Sequence, residues 1–184
     1  MIASVEIRLA SMLSALTGAI LPAVQSNPFA REQAELLAGH LQVLQTQGNH
    51  AEEFERLEHF HTRRLATEVV VDSVGGEKSA AAEGAVRQAL NVPVPQGIAA
   101  IRVAQSSLAA VIADFVTAQG VDGSSESIAR SNTVILAAEY VQSLRNRSYF
   151  SPFGYEAGTD DVKPIEQMMK EFRAEFADIE GASA

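Results

Sequence analysis

The stretch SNPFAREQAELLAGHLQVLQTQGNHAEEFERLEHFHTRRLATEVV, residues 26–70, decides the fold class. It opens on Ser26-Asn27-Pro28, a helix cap followed by a proline in the first turn, where a missing N–H costs nothing. Phe29, Leu36, Leu37, Val43 and Leu44 then recur at helical spacing, which predicts a helix to about Gln47. Gly48 suits a left-handed terminator. Asn49 and Glu52 stand in the positions of a capping box, predicting a further helix that runs to about Val70. With only two or three residues between them, these helices two and three are expected to form an antiparallel hairpin.

The same period continues on both sides of this stretch. Upstream, Val5, Leu9, Met12, Leu13, Leu16 and Ile20 fall on one face, so an amphipathic first helix is expected to end near Pro22. Glu6 cancels Arg8 where a secretion signal would be positive, and polar residues interrupt the apolar run, so the expected location is cytoplasmic. No uninterrupted apolar stretch reaches the roughly 18 to 20 residues of a membrane span, and no membrane partner is expected. Downstream, Val69-Val70-Val71 is the only β-branched run, compatible with a short strand that has no partner. Helices are predicted at 77–90, 97–119 with Gly120 as a stop, 126–147 with Ser124 or Ser125 as cap, and 163–179. A long loop is predicted at 148–162. The expectation is an all-α fold, a single-domain helical bundle of six or seven helices over residues 1–184.

Composition narrows the function classes. The 184 residues are 47% hydrophobic and 20% charged, enough apolar surface for a folded core. The absence of cysteine excludes disulfides, thiolate metal sites and cysteine nucleophiles. A net charge of -9 opposes nonspecific binding to nucleic acid, which needs phosphate neutralisation, so no nucleic-acid partner is expected. Gly75-Gly76-Glu77-Lys78-Ser79 resembles a phosphate-binding loop only superficially. Glu77 separates the lysine from the glycine and would repel phosphate, so a turn is the better reading.

One polar constellation stands out on helix three. Helical projection around Phe54, Leu57 and Leu65 turns His61 and Glu68 inward, with Glu58 and Arg64 at the borders and His59 outward. His40 lies among the apolar positions of helix two, and a tight hairpin would bring it alongside Glu58 and His61. The i, i+3 spacing of Glu58 and His61 presents both to one side, as in carboxylate-bridged metal bundles. His40, Glu58 and His61 could thus hold a divalent iron, manganese or zinc, with Arg64 and Glu68 behind the ligands. In the plainer alternative the histidines are structural, and Arg64 and Glu68 form an i, i+4 ion pair. His59, flanked by Arg56 and Arg63, could also act as an exposed phosphoacceptor.

The second unusual segment is rich in aromatic residues. Arg145, Arg147, Tyr149, Phe150, Phe153 and Tyr155 could seal one end of the bundle, anchor a partner or line a small-ligand pocket. On the last helix, Met168, Met169, Phe172 and Phe176 form an apolar strip; a homodimer is expected to bury part of this helix or residues 149–155, the competing outcome being that the strip docks on the protein's own bundle. The leading functional expectation is a non-enzymatic bundle acting through self-association or a protein partner. A metal-dependent enzyme using the His/Glu site and a small-ligand-binding bundle are the alternatives.

Overall fold

Side chains take up the first N–H groups at several of the helix starts. The computed structural model describes residues 4–150 and 162–182. Of these, 85% are helical, in seven helices with no strand. The Ser4 hydroxyl accepts from the Ile7 N–H at 3.3 Å and opens α1, Val5–Ala23. Asn27 Oδ1 accepts from the Ala30 N–H at 3.1 Å and opens α2, Pro28–Gly48, as its sequence predicts. Then follow α3, Ala51–Val70; α4, Glu77–Leu90; α5, Ile98–Asp122; α6, Ser125–Phe150; and α7, Ile165–Ala182. The Ser124 hydroxyl accepts from the Ser127 N–H at 3.1 Å at the start of α6.

Several boundaries differ from the sequence reading, each for a physical reason. Within α1, Leu16–Ile20 widens into a π-helical turn, in which the Leu21 N–H donates to the Leu16 carbonyl. The wider turn leaves room ahead of Pro22, whose ring would crowd a regular helix, and α1 runs on to Ala23. Gly48 stays helical, and the left-handed backbone falls instead at Asp72 (φ 52°) and Gly97 (φ 84°). Val69 and Val70 complete α3 rather than a strand, because both side chains are buried there. Helix α5 passes Gly120 and ends at Asp122, and α6, which holds Arg145 and Arg147 as expected, also takes in Tyr149 and Phe150 from the start of the expected loop. Phe153 and Tyr155 lie outside the described residues.

The chain divides into two compact units, Met1–Ala51 with Arg145–Ala184, and Glu52–Leu144. The first has a thin core in which Leu16 of α1 meets Ala34 and Ala38 of α2, with Leu13, Leu21, Val24 and Leu41 around them. The alanines let the two backbones approach closely. Ile165, Met168, Met169 and Phe172 of α7 are also buried. Gln47 donates to the Tyr149 carbonyl at 3.1 Å, and His50 Nε2 lies 2.9 Å from Glu166 Oε1.

The second unit has a core of its own. Ala66, Val69, Val70, Val86, Leu108, Ile112 and Phe115 form its centre, with Leu65, Leu90, Val111, Val134 and Ile135 packed on it. Two helices, α1 and α5, are long and apolar enough to cross a membrane, which a search for uninterrupted apolar runs does not reveal. In α5 that apolarity serves the core through Leu108, Ile112 and Phe115. In α1 only 6% of the apolar window is buried.

Candidate functional site

The histidine–carboxylate constellation is arranged differently from its projection. On α3 the buried histidine is His59, 3% exposed, and His61 is half-buried with its ring edge-on to Phe60 at 5.3 Å. His59 precedes Ala66 and Val70 by seven and eleven positions, so these three share one line on the helix. The projection weighted Phe54 and Leu57 and underweighted the small and β-branched residues of the last turns. Glu58 is buried, while Glu68 is exposed and pairs with Arg64 at 2.8 Å, the i, i+4 pair of the plainer reading. Burial first, and then the positive charge of Arg63, lowers the His59 pKa, which favours the neutral ring. A buried neutral ring is no exposed phosphoacceptor.

His40 is exposed on α2, in the first unit, whereas Glu58 and His61 belong to the second. Among the described residues no three His, Asp or Glu side chains converge as a metal ion requires. The expected His40, Glu58 and His61 ligand set for iron, manganese or zinc therefore gains no geometric support.

The glycine turn is fully engaged in structure. Gly75 pairs with Gly123 in an isolated antiparallel bridge, secured by Gly76 N–H to the Asp122 carbonyl and Ser124 N–H to the Val74 carbonyl, both 2.9 Å. The Asp122 carboxylate accepts from the Lys78 N–H at 2.8 Å, the Ser79 N–H at 3.0 Å and the Ser79 hydroxyl. It thus occupies the N-terminus of α4, the position a phosphate takes in a phosphate-binding loop. The Ser79 hydroxyl bond and these two N–H groups hold the Asp122 carboxyl below its usual pKa. Glycine is needed at 123, since a Cβ there would lie 2.6 Å from the Gln119 carbonyl oxygen.

Arginines complete the opposite helix ends. Arg130 donates to the Glu68 and Val69 carbonyls at 3.0 and 3.2 Å, in the last turn of α3. Arg63 donates to the Leu90 carbonyl at the end of α4 and to the Val92 carbonyl just beyond it. Arg87 reaches the Val70 carbonyl at 3.4 Å while pairing with Glu83 at 2.8 Å. The Ser73 hydroxyl, followed by Arg87, lowers the Glu83 pKa. Each cation answers the partial negative charge of a helix C-terminus. These groups hold helices together.

Large apolar side chains also remain on the surface. Along α2, Phe29 is 71% exposed, Leu37 and Leu44 are each 52% exposed, and Leu36 is also exposed. These residues, read from sequence as a core face, form a stripe with His40 in its middle. At one end the stripe reaches an open groove of about 290 Å³, where Leu44 and Gly48 of α2 meet Val5 and Leu9 of α1. Met12 lies one heptad beyond Val5 on the same helical line and is exposed as well. By contrast, the last-helix strip expected at a dimer interface is largely covered within the chain: Met168, Met169 and Phe172 are buried, and Phe176 is exposed at its end. Sequence periodicity marks both strips as apolar without saying which of them the chain itself covers.

No family model matches the sequence, and no curated protein or solved structure matches it either.

Proposed function

We propose that the protein is a non-enzymatic helical-bundle protein that works by self-association, as a homodimer. The observation behind this reading is the contrast between its polar and apolar side chains. The Asp122 carboxylate and the Arg63, Arg87 and Arg130 guanidinium groups are held on backbone groups at helix ends. Large apolar residues of α1 and α2 meanwhile stand in water. Chains seldom keep such stripes uncovered, because burying them removes apolar surface from solvent at about 25 cal/mol per Å². Two-fold pairing is the commonest way to cover a stripe, and it requires no second gene product.

Light scattering of the purified chain across a hundred-fold concentration range tests the proposal. The expected mass approaches twice the 19.6 kDa of one chain at the high end. A constant single-chain mass throughout would refute it.

A further inference from the structure

Resting on the self-association reading, we infer that the associating surface is the exposed face of the α1/α2 pair, and that its occupant is the same face of a second copy. The first support is area. If a large apolar side chain offers roughly 150 to 200 Å² when fully exposed, the exposed fractions of Val5, Met12, Phe29, Leu36, Leu37 and Leu44 leave about 600 Å². A stable interface takes about 800 Å² from each partner, polar rim included. The face therefore supplies the apolar centre of one such interface.

The second support is charge. The protein carries a net charge of -9, so two copies repel wherever acidic surfaces meet. Along the stripe, Phe29, Gln33, Leu36, Leu37, His40 and Leu44 include no acid; Arg31 and Glu35 lie on other sides of α2, Glu32 borders the stripe and Glu6 lines the groove at its end. Acidic groups therefore oppose self-contact only at the rim. The third support is the thin core beneath. Among the described residues its buried cluster is Leu16, Ala34 and Ala38, with Leu13, Leu21, Val24 and Leu41 partly buried against it, so a second pair packed on it adds apolar burial to a core built largely on small alanines.

A lipid surface is the other occupant an apolar helix pair could meet. It is disfavoured because α2 carries Glu32 beside the stripe, and α1 carries Glu6 and Arg8 in its opening turns. Those groups tolerate water at the rim of a protein interface better than they tolerate hydrocarbon.

The experiment compares two double variants of the full chain with wild type by sedimentation equilibrium. Phe29→Gln with Leu37→Gln should keep the wild-type helical content and weaken dimerisation by at least about a thousand-fold, since apolar burial is lost on both copies. Leu136→Gln with Tyr140→Gln alters two residues equally exposed on α6 and should leave the dimer constant unchanged. A wild-type dimer that survives the first variant but not the second overturns this face while leaving self-association standing. A wild type that is monomeric at every concentration overturns both. Flotation of wild type with neutral phosphatidylcholine vesicles, abolished by Phe29→Gln with Leu37→Gln, would assign the face to lipid and overturn the second copy.

Discussion

Replacing Arg130 by Met tests whether the charged side chains of the second unit serve as helix caps. The guanidinium makes two charge-assisted hydrogen bonds, to the carbonyls of Glu68 and Val69 at 3.0 and 3.2 Å. A hydrogen bond to a charged group contributes about 1.5 to 3 kcal/mol when buried. Water can replace part of each bond here, so the pair together contributes about 2 kcal/mol. Met preserves the aliphatic stem, which separates lost capping from lost packing. For a chain of this size, about 2 kcal/mol lowers the melting temperature by roughly 4 to 8 °C. Thermal melts followed by circular dichroism at 222 nm and pH 7 read this shift. Arg64→Met is the control, because its exposed i, i+4 pair with Glu68 contributes no more than about 0.5 kcal/mol. Equal shifts for the two variants would refute the capping role and leave Arg130 as one more surface charge.

Further outcomes follow from other contacts. Gly123→Ala should destabilise by about 1 to 3 kcal/mol, since the new Cβ meets the Gln119 carbonyl at 2.6 Å. Gly84→Ala, in the open middle of α4, should stabilise by about 0.5 to 1 kcal/mol, and paired urea melts check both. Phe172→Ala, at a site 6% exposed, should cost about 3 to 5 kcal/mol by the same assay without changing the dimer constant, whereas Phe29→Ala should do the reverse. Acid should weaken the fold in two stages. His59 binds its proton more readily when unfolded, so its contribution is complete above about pH 6.5 and is lost as the pH falls below that. Asp122 and Glu83, with lowered folded pKa values, contribute fully above the unfolded carboxylate range and lose this as pH falls through their folded values. Asp122→Asn with Glu83→Gln should flatten the lower stage of a urea-midpoint profile and leave the upper one.

The helices were legible because their signals are local. Asn27-Pro28 and Ser124 each cap a helix within three residues, and the period of 3.6 is plain in α2, α3 and α7. Features that depend on distant partners were not legible. Asp122 caps a helix that begins 45 positions earlier in the chain, so nothing around Gly75 announces it. The same tertiary contact carries α5 past Gly120, a residue with stop character but no left-handed backbone to adopt. On α3, the small and β-branched residues at 66, 69 and 70 set the buried sector, and His59 rather than His61 falls within it. The hardest reading was the fate of an apolar stripe. Leu37 on α2 and Met169 on α7 look alike in sequence, yet one is 52% exposed and the other buried. Periodicity records that a face avoids water and leaves open which surface covers it.

The most direct measurement is solvent paramagnetic relaxation of leucine methyl groups, recorded with a water-soluble spin probe at dilute and concentrated protein. In a dimer closed by α1 and α2, the Leu36, Leu37 and Leu44 methyls are shielded at high concentration and become exposed on dilution. The Leu136 methyls, on α6, stay exposed throughout. If the α2 leucines remain as exposed as Leu136 at every concentration, the face is not where copies of this chain meet.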